Sequence, residues 1–114
     1  MKKSKPWVIV APFLKVAGMA LFPFILVQHK SLKDDEVLIR HERIHLRQEA
    51  ELLVLPFYVL YLTHYLLNLF KYRNHHKAYM SICFEREAYA NETNKAYLHN
   101  RKLWAWRFYV NRDS

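Results

Sequence analysis

Residues 34–52, with the sequence DDEVLIRHERIHLRQEAEL, predict the helix around which the rest of the fold is organised. Its apolar residues and its two histidines recur at intervals of three and four, which is typical of one face of an α-helix. That face carries Val37, His41, His45, Gln48 and Leu52, with Ile44 beside it. The opposite side is basic and carries Arg40, Arg43 and Arg47.

The sequence also predicts where this helix begins and ends. Ser31 and Asp34 have the spacing of a capping box, and the acidic run Asp34-Asp35-Glu36 complements the positive end of a helix dipole. Pro56 would clash with the preceding turn of a continuing helix, so we expect the helix to kink or end there.

The composition favours a mainly helical domain with a small β element. The 114 residues include one glycine and four prolines, too few turn formers for a many-stranded sandwich or barrel. We therefore predict a single mainly α (α+β) domain over residues 1–114. Residues 7–10 and 21–27 are rich in β-branched and aromatic side chains and predict two short strands. Pro23 would confine its strand to an edge or a bulge.

The basic start and apolar run of the N-terminus have a second interpretation, a cleaved leader. Lys15 interrupts the apolar run, and no clean Ala-x-Ala cleavage site follows it, so we prefer the two strands.

Residues 52–70 form the most apolar segment and contain no Asp, Glu, Lys or Arg. A segment of this length is consistent with insertion into a membrane, while its polar residues Thr63, His64 and Asn68 suit a buried helix. The net charge of +8 fits a membrane surface better than a nucleic acid, because no nucleic-acid-binding motif accompanies it and most basic residues are scattered beside apolar stretches. We expect a membrane-associated protein, integral or on the cytoplasmic side, with no nucleic-acid partner.

A second helix is predicted over residues 78–101, followed by an aromatic and basic tail from Lys102 onward. The predicted inner face of this helix consists of Tyr79, Cys83, Glu87, Ala90, Asn94 and Leu98. The single cysteine, Cys83, excludes an internal disulfide and is expected to pack as a small core residue.

The segment His41-Glu42-Arg43-Ile44-His45 predicts a metal-binding site. Histidines four apart on a helix project from the same face, so both imidazoles can bind one zinc ion. Glu42 is rotated by about 100° from His41, which places its carboxylate beside the metal, where it can act as a general base toward zinc-bound water. Seven histidines in the chain make a chance match the alternative, but the position of both on an apolar helix face favours metal binding.

A catalytic zinc ion usually has three protein ligands, so a third must come from elsewhere in the chain. The candidates downstream are His64, His75, His76, Glu85, Glu87, Glu92 and His99. Glu87 is preferred, because it lies on the predicted inner face beside the small Ala90. Asn91, four residues later, would then hydrogen-bond the outer nitrogen of a ligand histidine.

Taken together, His41-Glu42-x-x-His45 and Glu87-x-x-Ala90-Asn91 resemble the motifs of the gluzincin metallopeptidases, whose second motif is commonly Glu-x-x-Ala-Asp. The run Phe84-Glu85-Arg86-Glu87 is similar to the β-lactam-sensor membrane peptidases, and the length is similar to the minigluzincins. The resemblance covers roughly residues 21–94. It implies a zincin-like fold, Glu87 as third zinc ligand, and an edge strand at residues 21–27 that aligns a peptide substrate.

The chain departs from the gluzincin pattern in two respects. Asn91 stands where Asp is usual, and no residue is clearly assigned to stabilise the oxyanion. The candidates for that role are Tyr79, Tyr97, His99 and Arg101. Our first hypothesis is a zinc-dependent metallopeptidase that hydrolyses peptide bonds. The second is a non-catalytic, membrane-associated zinc-binding or interaction module, and the third is a basic lipid- or nucleic-acid-binding domain.

Overall fold

A computed structural model describes residues 6–110 as a mainly helical chain with one small β-sheet. The strands are β1 (Val8–Val10), β2 (Gly18–Leu21) and β3 (Phe24–Val27). The helices are α1 (Glu36–Glu51), α2 (Leu55–Tyr72), α3 (His75–Met80), α4 (Cys83–Asn91) and α5 (Tyr97–Asn100). Two 3₁₀ turns span Lys30–Asp34 and Ala105–Tyr109. The mainly α (α+β) class is therefore confirmed for the described residues.

The sheet has the order β1-β3-β2, with β3 parallel to β1 and antiparallel to β2. The prediction of a strand at residues 7–10 is confirmed by β1. The single strand predicted at residues 21–27 is wrong, because the chain turns at Phe22 and Pro23 to form a hairpin between β2 and β3. The strand after Pro23 is consequently the central one, and β2 is the edge strand beside the helices.

Helix α1 begins four residues later than the capping box predicted. Residues Lys30–Asp34 form a 3₁₀ turn, and the cap is Asp35, whose Oδ1 accepts a hydrogen bond from the backbone of Leu38 at 3.1 Å. The helix ends at Glu51, ahead of Pro56, which lies in the first turn of α2, where its missing N–H costs nothing.

The long helix predicted over residues 78–101 is broken in the structure. Helix α3 ends at Met80, extended backbone at Ile82 precedes α4, and α5 is a separate turn. Because each break changes the helical phase, only part of the predicted inner face is inside. Cys83 and Glu87 are buried as expected, whereas Ala90 and Asn94 are exposed.

Helix α1 is the central element, since it packs against the sheet on one side and α4 on another. The sheet side is closed by Val8, Ile25, Val27 and Ile39. A second cluster is formed where α2 and α4 meet the C-terminal tail and contains Phe57, Ile82, Cys83, Phe84 and Trp106. This burial confirms Cys83 as a core residue. It also shows the first part of the tail, as far as residue 110, packed on the protein.

Among residues 6–110, none of the helices is by itself both long and apolar enough to cross a bilayer. Helices α1 and α2 satisfy those criteria only when taken together, and they are bent by 113° at their junction.

Candidate metal centre

The two histidines of α1 meet a carboxylate of α4 in the interior of the protein. The Nε2 atoms of His41 and His45 each lie 3.0 Å from the same oxygen, Oε1 of Glu85. All three side chains are buried, and their three atoms lie within 4.8 Å of one another. The second oxygen of Glu85 accepts a hydrogen bond from the Tyr61 hydroxyl at 2.6 Å. The structure thus brings two imidazoles and one carboxylate together at a single point.

The outer nitrogen of each histidine is held by a different acceptor. His41 Nδ1 lies 2.7 Å from Oε1 of Glu92, just beyond the end of α4. His45 Nδ1 lies 2.7 Å from Oε1 of Gln48, one turn further along α1. Such partners fix the ring orientation and the tautomer of a metal-binding histidine.

These outer contacts determine the tautomer of the two imidazoles. A carboxylate oxygen and an amide oxygen can only accept, so both Nδ1 atoms must carry hydrogen. In a neutral imidazole the Nε2 atom is then an acceptor that faces Oε1 of Glu85, another acceptor, at 3.0 Å. That arrangement is repulsive unless the histidines are also protonated at Nε2 or a cation lies between the three atoms.

The pKa shifts of His45 and Glu85 also indicate that the centre favours a positive charge. Burial lowers the pKa of His45, but the neighbouring Glu85 carboxylate outweighs it and raises that pKa to about 10. Burial likewise opposes ionisation of Glu85, yet His45 and the hydrogen bonds hold the pKa of this carboxyl well below its usual range. The centre therefore favours added positive charge.

The donor set suits zinc. Two imidazole nitrogens and one carboxylate oxygen are a common set for a catalytic zinc ion, which leaves one position open. With zinc–ligand distances of about 2.0–2.2 Å, tetrahedral ligand atoms lie about 3.3 Å apart. The two separations of 3.0 Å between Glu85 and the histidines are close to that value, so the described residues could hold such an ion.

The carboxylate that the structure brings to both histidines is that of Glu85, whereas Glu87, the residue preferred from the sequence, lies elsewhere. Two residues along an α-helix turn a side chain by about 200°, so Glu85 and Glu87 point to opposite sides of α4. The start of α4 at Cys83 sets which of its side chains face α1, and Glu85 is one of them. Tyr89 and Glu92 lie on the same face of α4. The spacing Glu85-x-x-x-Tyr89-x-x-Glu92 is the sequence signal that could have identified this face. Both Tyr89 and Glu92 contact His41.

Glu87 belongs instead to a buried ion-pair network behind the centre. Its carboxylate accepts hydrogen bonds from Tyr97 at 2.6 Å, from Gln48 at 2.9 Å and from the Arg101 guanidinium. Arg101 also binds Glu51 at the end of α1, at 2.7 Å. Glu87 therefore reaches His45 only through Gln48.

The structure does not bring Asn91 to the outer nitrogen of either histidine, whose partners are Glu92 and Gln48. Its amide nitrogen donates to the Glu87 carbonyl at 2.7 Å and to the Tyr109 hydroxyl at 3.0 Å, so it joins α4 to the C-terminal tail. Glu92, the next residue, takes the place beside His41. The side chain at position 91 is therefore not one of those beside the histidines.

The remaining candidate histidines lie outside the group of three. His64 accepts a hydrogen bond from the backbone of Cys83 at 3.2 Å, and burial lowers the pKa of its imidazole. His75 lies 2.7 Å from the Tyr65 hydroxyl, and with His76 it lines the outer part of the cleft described next. His99 is exposed on α5.

A cleft of 810 Å³ opens over the three converging side chains and is bordered by β2, α1, α2 and α3. Glu42 lines it beside the histidines and is buried. The only glycine of the chain, Gly18 on β2, lies directly against Glu42. A Cβ atom there would be 3.2 Å from Leu38 Cδ1 and 3.4 Å from Glu42 Oε2, so glycine permits the close approach of strand and helix.

Of the four candidates for stabilising an oxyanion, the structure brings Tyr79 alone to this cleft. Its hydroxyl lies 2.9 Å from that of Tyr89, and burial raises its pKa above the ordinary tyrosine value. Tyr97 and Arg101 are bound to Glu87, and His99 is exposed, so these three are placed elsewhere.

Comparison of the chain with protein-family models, with curated proteins and with solved structures found no match. The gluzincin resemblance therefore rests on His41-Glu42-x-x-His45, since the structure places Glu87 and Asn91 away from these histidines.

Proposed function

We propose that the protein is a zinc-dependent peptidase, with His41, His45 and Glu85 holding the metal. One observation carries this proposal. Three zinc-type donor atoms converge within 4.8 Å at the base of an open cleft, next to an acidic side chain that is not one of them. A buried structural site would be enclosed by protein, whereas this one faces a space large enough for a peptide segment.

A zinc ion bound by these residues would act as a Lewis acid, polarising a carbonyl group and lowering the pKa of water at the open coordination position. Two neighbouring residues hold the histidines in the tautomer that can bind such an ion. Glu92 and Gln48 keep the hydrogens of both imidazoles on Nδ1, which leaves both Nε2 atoms free to bind a cation.

Glu42 is suited to the role of general base. Burial raises the pKa of its carboxyl, while the adjacent histidines His45 and His41 act in the opposite sense. A carboxylate whose pKa is raised is a stronger base than an ordinary one. It would accept a proton from the attacking water and deliver that proton to the nitrogen of the departing amine.

The edge of β2 supports a polypeptide as the substrate. Gly18–Leu21 borders the cleft, and within residues 6–110 β2 pairs with β3 along one side only. An extended peptide can add to such an edge through main-chain hydrogen bonds. A peptide bound this way would pass over Glu42, because Gly18 touches that side chain.

A matched pair of variants tests the ligand assignment. Glu85→Gln should reduce zinc affinity about 100-fold or more, while Glu87→Gln should retain one zinc ion per chain and lose stability instead. Metal content after dialysis and competition with a chromogenic chelator give the two affinities. Loss of zinc from Glu87→Gln with retention by Glu85→Gln would overturn the assignment.

Catalysis is tested separately with Glu42→Gln. This variant should keep its zinc and lose cleavage of a fluorogenic peptide library by a factor of about 10³ or more, because it lacks the base and retains the ligands. Equal cleavage by wild type and variant would refute the mechanism. Zinc binding by the wild type without any cleavage would support the alternative hypothesis of a non-catalytic zinc-binding module.

A further inference from the structure

Helix α2 presents its most apolar face to the outside. Leu55, Val59, Leu62, Leu66 and Phe70 follow one another at steps of four, three, four and four residues, so they form one stripe along the helix. Their exposed fractions are 71, 60, 56, 52 and 78%. We refer to these five residues as the outer stripe. An exposed apolar surface of this extent marks a site of interaction.

The inner face of α2 explains why the outer stripe is not part of the core. Phe57 and Asn68 are the buried residues of this helix, and the Asn68 amide donates to the carbonyl of Ala78 at 3.2 Å. Leu60 and Leu67, 44 and 64% exposed, widen the stripe on one side. At about 100° per residue, the exposed apolar positions cover roughly 160° of the helix circumference.

Charge indicates which partner covers this surface. Residues 52–70 contain no charged side chain, and three exposed basic residues, Lys71, Arg73 and Lys77, follow directly. The guanidinium of Arg73 lies over the ring of Phe70, at 5.8 Å from its centroid. A second copy of the chain would bring two charges of +8 together, whereas an anionic lipid surface would attract both the basic cluster and the whole molecule.

We infer that the outer stripe lies in the interfacial layer of an anionic lipid bilayer, with α2 parallel to the membrane plane. An 18-residue helix is about 27 Å long, and a helix with one apolar face and basic residues at its end binds in this manner. The inference is independent of the proposed peptidase activity, because this binding requires neither metal nor substrate.

Docking in this orientation would bring the candidate metal centre close to the lipid. Tyr58 and Tyr61 on the inner side of α2 line the cleft, and Tyr61 binds Glu85. One helix diameter, about 10 Å, therefore separates the lipid surface from the cleft wall.

Vesicle sedimentation tests the inference with a matched pair of single variants. Wild type should bind vesicles that contain phosphatidylglycerol more strongly than pure phosphatidylcholine vesicles, and added salt should reduce the difference. Leu66→Gln should lower the partition coefficient about tenfold, by removing one buried leucine from the lipid contact. Phe13→Gln, at a 79% exposed residue far from α2 in sequence, should bind like wild type.

A labelling experiment covers the case in which a variant is poorly folded. An environment-sensitive dye on Leu66→Cys should shift to the blue when anionic vesicles are added, and the same dye on Phe13→Cys should not. Cys83 is buried and stays unlabelled in the native protein. Absence of vesicle binding by the wild type, or equal binding by Leu66→Gln, overturns the inference. A wild-type dimer that Leu66→Gln dissociates, without vesicle binding, overturns it in favour of a second copy of the chain.

Discussion

Gln48 joins the histidines of the candidate metal centre to the buried ion-pair network behind it. Its amide oxygen faces His45, and its amide nitrogen donates to the Phe84 carbonyl at 3.0 Å and to Glu87 at 2.9 Å. Since the nitrogen has two acceptors, the amide cannot rotate to present N–H to the histidine. The tautomer of His45 is thus set by residues that do not touch the cleft.

This contact predicts the effect of Gln48→Met. The variant keeps the volume of the side chain but removes the acceptor for His45 Nδ1, so zinc affinity should fall about 10- to 100-fold. The measurement is a zinc competition titration, alongside chemical unfolding of the metal-free protein to correct for stability. Arg43→Met, an exposed position on the same helix, should keep wild-type affinity. Equal affinity in both variants would contradict the positioning role.

Glu49 predicts a dependence of stability on pH. Its side chain is 1% exposed, and burial raises its pKa to about 7. Because the folded protein binds this proton more tightly than the unfolded chain, stability is lost as pH rises from about 4.5 through 7. In the structure the Phe22 N–H donates to Glu49 Oε1 at 2.8 Å, and Glu49→Gln retains an acceptor for it.

We therefore expect Glu49→Gln to be more stable than wild type by about 1–3 kcal/mol near pH 8, with a much smaller difference near pH 5. Urea unfolding of the metal-free proteins at both pH values measures it. A difference that does not change with pH would show that the carboxyl is not held protonated by burial.

At the scale of elements, the approach of β2 to α1 depends on a single residue. Gly18→Val would place two methyl groups where a Cβ alone already meets Leu38 and Glu42. Leu38 can shift the end of its side chain, but Glu42 would be displaced from the cleft. We predict at least about a tenfold loss of kcat/KM with zinc content unchanged, since a misplaced catalytic group is costly. Gly18→Ala requires a smaller shift of the neighbouring side chains, so its kcat/KM should lie between the values of wild type and Gly18→Val.

The C-terminal segment is held to α1 and α4 through Arg101. Its side chain is 2% exposed and pairs with Glu51 and Glu87, while Glu51 also accepts a hydrogen bond from the backbone of Trp104 at 2.8 Å. Arg101→Met would leave two buried carboxylates unpaired and should cost about 3–5 kcal/mol. Lys102→Met, at an exposed neighbour, should change stability by less than about 0.5 kcal/mol. Chemical unfolding of both variants decides between a structural network and a passive surface contact.

For the whole molecule, the candidate metal centre links stability to metal concentration. Because its donors come from α1 and α4, a bound ion is lost when these helices separate. Free zinc at about 100 times the dissociation constant should add about 2.7 kcal/mol to the free energy of unfolding. Thermal unfolding with and without a chelator measures this gain, which Glu85→Gln should abolish. An unchanged melting temperature in the wild type would contradict a folded-state metal site.

The parts of the fold that were predicted correctly depend on short sequence patterns. The helical spacing of His41 and His45, and the position of Glu42 between them, required only the periodicity of α1. Strand β1 and the burial of Cys83 were also recognised from local composition. The class, mainly helical with a small sheet, followed from the scarcity of turn residues.

The errors share a different cause, which is the phase and termination of elements. The turn at Phe22–Pro23 converted one predicted strand into parts of two, and Asp35 replaced the predicted capping box. Ile82, fully buried beside Phe57 and Phe84, interrupts the second helix. No local rule specifies that interruption, because contacts with α2 and the tail stabilise it.

From the sequence alone it follows that His41 and His45 share one face of a helix and that Glu42 lies about 100° away, because an α-helix repeats every 3.6 residues whatever surrounds it. The sequence could not determine the third donor. Glu85 and Glu87 are chemically equivalent and two residues apart, and only the packing of α4 against α1 turned Glu85 toward the histidines. The pairing of Glu87 with Arg101 and the position of the β2 edge beside Glu42 also depend on the tertiary structure. Both contacts join residues that are far apart in the chain, so no local pattern predicts them.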